Sequence, residues 1–457
     1  MRIIFTPPAN RLRQTVRELL REGLMQNALA LWCVQGLRKT LPLILLPYLA
    51  RVLGPSGWGL VAVFQSFAAS IVLFIEFGFG LSGTREVARS RNSKAHLSEL
   101  FAGVVGAQAV LGICVAASIA CVRFWVPVLN KNPLLVCIAV IIALAEGCNP
   151  TWFFVGIERM GIIAALEISS KTVATLLIFA FVRSANDVWL ALALQGFAPV
   201  LSLAVSLCLI YRNVPFRLPS KRLVKKALSA AWSMFLIRSA QSLYTMGNAF
   251  LLGMFAGPTI AGYFAGPEKI SRALSGLFNP IRETLYPRLS KLIHASPLQA
   301  ARLARLGLII TSTGGLVIGL TIFFSAPLII RILLGQQFGQ AVPVLRVFSI
   351  LPPLIAITQS IGVQWLLPLG KERLIGRIVL LAGVLNLFLA MLLVPRFAEI
   401  GMAWAVVSAE TFVCLAVVCA GAMDRTRRFP FFGTLRAAPV DSVSAQEPVV
   451  PAEAMHS

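Results

Sequence analysis

Apolar runs close to twenty residues long recur from one end of this chain to the other, and nothing else restricts its fold as strongly. A helix rises 1.5 Å per residue, so about 20 apolar residues cross the roughly 30 Å hydrocarbon core of a bilayer. These runs are too long and too uniform for the ten-residue alternation of membrane β-strands. Charge content agrees: 13% of the 457 residues are charged and 58% hydrophobic, whereas soluble domains average roughly 25% charged. So few charges cannot cover a water-facing surface of this size. The pattern predicts an all-α polytopic membrane protein with twelve transmembrane helices. The spans fall near residues 28–52, 58–80, 100–122, 134–155, 162–182, 188–211, 231–256, 260–286, 303–325, 343–368, 374–394 and 400–422.

The formal net charge of +23 raises the question of nucleic acid, which the placement of the charge answers. The arm 1–23, the connections 81–99, 156–160, 212–230, 288–305 and 370–377, and the tail 423–457 together hold 27 Lys and Arg. The alternate connections hold six: Arg51, Arg123, Lys131, Arg183, Arg331 and Arg396. This asymmetry is the positive-inside pattern, and it predicts both termini in the cytoplasm. The basic excess reports topology and contact with anionic membrane lipids, not nucleic acid. The arm is basic and amphipathic without a short apolar core or small-residue cleavage site, so it does not read as a removable signal peptide. The tail, rich in Pro, Ala and Ser, is expected to be disordered.

Several chemistries have no footing in the residues. The eight cysteines are scattered without a C-x-x-C, and His96, His294 and His456 lie far apart, so no metal site is expected. There is no G-x-x-x-x-G-K-[ST] loop for a nucleotide. The outer connections, about 4–17 residues long, are too short to house a catalytic site. Neither an enzyme nor a cofactor is expected.

The chain partly repeats itself. GPSGWG (54–59) and GPTIAG (257–262) share G-P-x-x-x-G between the first and second span of each half. TWFFVGIERM (151–160) and QWLLPLGKERL (364–374) share Trp, Gly and Glu-Arg at the end of each fourth span. Two matches in register favour a duplication over coincident turn residues. The expected organisation is a six-helix lobe over 24–211, a basic cytoplasmic linker over 212–230 and a second six-helix lobe over 231–422. The two lobes would be related by an axis along the membrane normal.

The stretches NALALWCVQGLRKTLPLILLPYLARVLGPSGWG (27–59), FGFGLSGTREVAR (77–89) and NPTWFFVGIERM (149–160) resemble the polysaccharide transporters of the multidrug/oligosaccharidyl-lipid/polysaccharide exporter superfamily, which includes the Wzx-type flippases. The resemblance implies a two-lobed, V-shaped bundle that alternates between inward- and outward-open states. The implied cargo is an undecaprenyl-diphosphate-linked oligosaccharide, moved to the periplasmic leaflet without ATP for surface polysaccharide assembly. A polysaccharide polymerase and a chain-length regulator would be its partners. A drug or metabolite exporter of the same superfamily is the alternative, and a membrane polymerase or ligase is the rival from another class.

The residues that could meet such a cargo stand out against the apolar background. EKISRALSGLFNPIRETLY (268–286) places Glu268, Arg272, Ser275, Asn279, Arg282 and Tyr286 on one face of the eighth span if the helix is regular. Arg238, Gln241, Thr245 and Asn248 form a second stripe on the seventh. An ionised group at bilayer depth costs at least about 2.5–3.5 kcal/mol, so these faces must turn to protein or water. An internal Glu268–Arg272 pair that only cements packing is one reading. The other is a hydrated cavity whose cations meet a diphosphate, because the guanidinium fork binds phosphate oxygens bidentately and stays charged. The candidate substrate contacts are Arg38, Arg238, Gln241, Asn248, Lys269, Arg272, Asn279 and Arg282. Glu76, Glu146, Glu268 and Glu410 are candidates for carrying a coupling ion.

Overall fold

The computed structural model describes the backbone of residues 24–91, 93–245 and 247–423. Side chains are described from residue 43 onward, apart from those at 92, 237, 240–246, 280 and 294. The arm and the tail read from the sequence lie outside the described residues. Among the described residues every regular element is helical.

Helix α1 (Leu24–Glu76) is broken at Gly54, whose φ of 66° and ψ of 178° leave helical space. Glycine takes that conformation without a Cβ penalty, and the fixed φ of Pro55 starts the next helical stretch. The same device recurs at Gly257 (φ 90°, ψ 168°), where Pro258 opens a later helix. The two G-P-x-x-x-G motifs thus build matching breaks. After a second interruption at Phe77 and Gly78, both with positive φ, the chain continues as α2 (Phe79–Arg89), α3 (Lys94–Val122), the single turn α4 (Pro127–Asn130), α5 (Pro133–Gly147), α6 (Thr151–Gly156), α7 (Met160–Phe181) and α8 (Val188–Asn213). Next come α9 (Lys221–Thr245), α10 (Asn248–Phe255), α11 (Pro258–Ser275), α12 (Asn279–Ala295) and α13 (Pro297–Leu333). The last pieces are α14 (Ala341–Phe348), α15 (Leu351–Thr358), a π-helix (Gln359–Leu366) and α16 (Glu372–Met423), which is bent at Ala398 (φ 47°, ψ −123°).

Among the described residues, eight helical segments are long and apolar enough to cross a membrane, which makes this a multi-pass membrane protein. Two of the eight, Leu43–Arg89 and Glu372–Met423, contain the bends at Gly54 and Ala398, so each overlaps two of the spans expected from sequence. The helices over the expected seventh and eighth spans, α9 with α10 and α11 with α12, fall short of that apolarity. They are the two that carry the polar stripes.

Two apolar grooves stand in register with the repeated G-P-x-x-x-G motif. One apolar groove is lined by Ile270, Ala273, Leu274 and Leu277 of α11 and its following turn, with Ile318, Thr321 and Ile322 of α13. A second is lined by Phe67, Ser70, Ile71 and Phe74 of α1, with Val115, Ser118 and Ile119 of α3. Each residue of the first set lies 203 positions after its counterpart in the second, the same separation as Gly54 and Gly257. The grooves hold about 410 and 450 Å³.

The Glu-Arg motif after α6 has a local structural role. Glu158, in a left-handed conformation (φ 61°), accepts a hydrogen bond from Arg91 at 2.9 Å. That bond and the guanidinium charge hold the Glu158 carboxyl below the usual carboxylate range. The residue staples the α6–α7 connection to the end of α2.

Candidate functional site

The stretch of α1 after Gly54 runs along the second half of the chain, and its contacts organise the site. At one end the paired motifs touch directly. A methyl group at Gly59 would overlap the carbonyl oxygen of Pro258, and one at Gly262 would overlap the carbonyl oxygen of Pro55. Only glycine allows two backbones to approach this closely. Behind this contact the Lys269 ammonium sits 4.5 Å from the centroid of the buried Trp58 ring, within cation–π range. It donates to Gln65 Oε1 at 2.7 Å, and Gln65 Nε2 in turn donates to Gln195 Oε1. Lys269 is therefore held by two amides and a ring contributed by residues up to 211 positions away.

Farther along α1, Glu76 forms an ion pair with Arg238 of α9. Gly80 makes room for it: a Cβ there would press on Glu76 Oε1 at 2.5 Å and approach Arg238 Nη1 at 3.4 Å. Phe77 stacks on Phe235 with ring centroids 4.4 Å apart and planes 13° apart, and Trp232 packs beside them. Gly78 completes the contact, since a Cβ there would lie 2.7 Å from the Phe235 backbone nitrogen.

The stripe on the eighth span is interrupted by a turn. After Ser275 the helix tightens into a 3-10 turn, Gly276–Phe278, before α12 begins. A 3-10 helix turns about 120° per residue against 100° for an α-helix, so three such residues rotate the next helix by roughly 60°. The polar residues on either side of the turn form two groups with different partners. In the first, Arg272 Nε and Nη2 donate to Glu268 Oε1 at 3.1 and 2.9 Å, with the Arg side chain 43% exposed. Glu410 of α16 also lies within electrostatic reach of Arg272. In the second, Asn279, Arg282, Glu283 and Tyr286 of α12 line a cavity of about 350 Å³ together with Gln359, Val363 and Gln364 of the π-helix. Arg282 Nη2 donates to the Ser275 carbonyl at 3.1 Å across the 3-10 turn.

Several expectations change against this geometry. Asn248 is buried and accepts a hydrogen bond from Asn386 at 3.0 Å, which ties α10 to α16. Lys269 enters the contact with Trp58 and Gln65, while Arg272 pairs with Glu268. The candidate carboxylates have cationic neighbours. Glu76 pairs with Arg238, Glu268 with Arg272, and Glu146 lies near Lys171, which pairs with Glu167 at 4.0 Å across an i,i+4 spacing. A cation at this depth without a counter-charge would cost several kcal/mol. The side chains of Arg38 and Gln241 lie outside the described residues. Sequence reasoning missed Trp58, Gln65, Gln195, Gln359 and Gln364. A glutamine inside an apolar run, as in VFQSF, ALQGF and GVQWL, was the available signal.

Comparison with known proteins fits this architecture. The family described as polysaccharide biosynthesis protein matches residues 24–293. A protein of Escherichia coli (strain K12) named "Putative O-antigen transporter" is 30% identical over 393 residues, covering 86% of this chain and 95% of its own length. A protein of the same name from Shigella dysenteriae is 29% identical, covering 85% of this chain and 98% of its own length. Among solved structures, the lipid II flippase MurJ in an inward closed conformation superposes with a TM-score of 0.66 at 12% identity, covering 86% of this chain and 87% of that one. An inward-facing multidrug resistance MATE family transporter of the MOP superfamily superposes with a TM-score of 0.65 at 15% identity, covering 84% and 94%. The fold is the one these transporters share, and the sequence match spans more than half of the chain: it belongs to the polysaccharide biosynthesis protein family.

Proposed function

We propose that this protein is a flippase that carries an undecaprenyl-diphosphate-linked oligosaccharide from the cytoplasmic to the periplasmic leaflet of the bacterial inner membrane. The observation that carries the reading is the pair of arginines, Arg238 and Arg272, each partly exposed and each ion-paired with a carboxylate, Glu76 and Glu268. A diphosphate offers more charge and more acceptor oxygens than one carboxylate, in a geometry that suits the guanidinium fork. It can therefore displace Glu76 and Glu268 from their partners. The resting protein avoids unpaired cations at bilayer depth, and cargo replaces the internal counter-ions when it enters.

Leu43, Leu46, Ile270, Leu274 and Leu277 line an apolar groove on the other face of α11 from Arg272, a surface suited to the isoprenoid chain of such a molecule. The names of the two relatives support an O-antigen-type polysaccharide as the destination.

Movement follows from the contacts between the halves. We read the Gly59–Pro258 and Gly262–Pro55 approach as a closed periplasmic end. In this reading twelve spans form two six-helix lobes, 24–211 and 231–422, joined by the cytoplasmic linker 212–230, with both termini in the cytoplasm. Rocking of the lobes would part the glycine contact and expose the cargo to the outer leaflet. A polymerase and a chain-length regulator would receive the repeat units there.

Charge reversal tests the diphosphate site. Cells carrying Arg272→Glu or Arg238→Glu in place of the wild-type protein should lose surface polysaccharide and accumulate lipid-linked repeat units on the cytoplasmic leaflet, with the protein still inserted. Arg272→Lys should keep part of the activity, since the charge survives without the fork. Normal polymer from inserted Arg272→Glu protein would reject the reading.

A further inference from the structure

We propose that the cavity between α12 and the π-helix is the subsite for the sugar end of the cargo, separate from the arginines that take the diphosphate. The proposal rests on the flippase reading and adds to it where the neutral part of the substrate is recognised. Its lining is of a kind apart from the charged pairs. Asn279, Gln359 and Gln364 supply amides, Tyr286 a phenol and a partly exposed ring, and Arg282 and Glu283 one charge of each sign. Amides and phenols both donate and accept, as sugar hydroxyl and acetamido groups require. At about 350 Å³ the cavity lies at the small end of ligand pockets, which run from about 300 to 1,000 Å³. That is room for a sugar-sized group and not for a whole repeat unit.

Two features mark this as a built site. Gln364 is 1% exposed, yet among the described residues neither its Oε1 nor its Nε2 has a hydrogen-bond partner. An amide without partners in such a place is a liability to the fold, which a leucine would not be. The second feature is the π-helix itself. Five residues on an α-helix lie about 140° apart around the axis, so Gln359 and Gln364 would face different ways. The i→i+5 bonding of a π-helix stacks them instead, and this widened turn recurs at functional sites. The Leu367 N–H donates to the Gly362 carbonyl at 3.0 Å in that pattern. The irregularity brings both glutamines to one wall.

Position supports the assignment. Arg282 reaches across the 3-10 turn to the Ser275 carbonyl, three residues from Arg272. From Arg272 to Asn279 is seven residues, about 10 Å of helix. A diphosphate on the Arg272 fork would therefore direct its attached sugar toward this cavity, away from the apolar groove.

The test uses the full-length protein in nanodiscs and two probes, undecaprenyl diphosphate alone and the lipid-linked oligosaccharide extracted from the host that makes this protein. The wild type should bind the glycolipid about tenfold more tightly than the bare lipid, the gain expected from one or two well-made hydrogen bonds. Gln364→Leu and Gln359→Leu should each erase that preference while leaving affinity for the bare lipid within about twofold. Gln364→Leu should also keep or raise the thermal midpoint. Equal weakening of both probes together with a lower midpoint would make the glutamine structural and overturn the subsite. Unchanged preference in both variants, or a wild type that binds the two probes equally, would overturn it too while the diphosphate reading stands. A wild type that binds neither probe would remove both.

Discussion

Replacing Gly262 with alanine tests whether the contact between the two G-P-x-x-x-G breaks is a moving gate. The new Cβ would overlap the Pro55 carbonyl oxygen and lie 3.1 Å from the Pro55 carbonyl carbon and 3.2 Å from the Gly59 Cα. All three neighbours are backbone atoms, so no side-chain rotamer relieves the clash and the helices must part. Forcing a methyl group into a filled contact costs about 1–3 kcal/mol. If the halves alternate between closed and open states at this end, the whole cost falls on the closed state. The equilibrium then moves toward opening by about 5- to 150-fold. Cysteines at Ser56 and Thr259, one in each motif on a cysteine-free background, report the change. In the Gly262→Ala protein their crosslinking yield should fall, and labelling of either by a membrane-impermeant thiol reagent should rise several-fold. In the parent protein a completed crosslink should stop export, with recovery on reduction. Unchanged labelling combined with a loss of thermal stability would show static packing and refute the gate. Continued export through a completed crosslink would refute it as well.

The other predictions address the charge pairs and the topology. Glu76→Gln leaves Arg238 without its counter-charge, so affinity for undecaprenyl diphosphate should rise and export should slow as release becomes limiting; equilibrium binding and an export assay read the two effects, and a fall in affinity would contradict the counter-ion exchange. Lys269→Met keeps much of the stem against Trp58 but removes the donor to Gln65, so Ser56 and Thr259 crosslinking should fall while bare-lipid affinity changes less than about twofold; a large loss of affinity would return Lys269 to the diphosphate site. Reporter fusions after residues 92, 220, 296 and 430 should signal cytoplasm and those after 130, 185 and 338 periplasm, and a periplasmic signal at 220 would break the twelve-span arrangement.

The fold was legible because a bilayer leaves a chain few choices. Backbone groups in hydrocarbon must be satisfied within the segment, so apolar length located most of the helices. The paired G-P motifs were legible for a similar reason: a positive φ before a proline leaves a local trace, and Gly54 and Gly257 share it. The polar faces were visible as charges in apolar surroundings, but their partners were not. Lys269 reaches Gln65, 204 residues earlier, and Arg238 reaches Glu76, 162 residues earlier. No helical periodicity encodes such distances. Regularity itself misled at two places. A stripe drawn through Gly276–Phe278 assumes a constant 100° per residue, and the 3-10 turn adds roughly 60° of rotation there. Gln359 and Gln364 look unrelated on an α-helical wheel and meet only because that stretch is a π-helix.

The central claim is that this chain moves a lipid-linked oligosaccharide between leaflets, and direct observation of that movement tests it most sharply. Purified protein would be reconstituted into vesicles carrying the host's undecaprenyl-diphosphate-linked oligosaccharide, with the fraction in the outer leaflet followed by a membrane-impermeant sugar-modifying reagent. Glycolipid that is protected in protein-free vesicles should become accessible in proteoliposomes at a rate proportional to protein, and Arg272→Glu should return that rate to background. If accessibility is the same with and without the wild-type protein, in vesicles where its insertion and folding have been verified, the account is wrong.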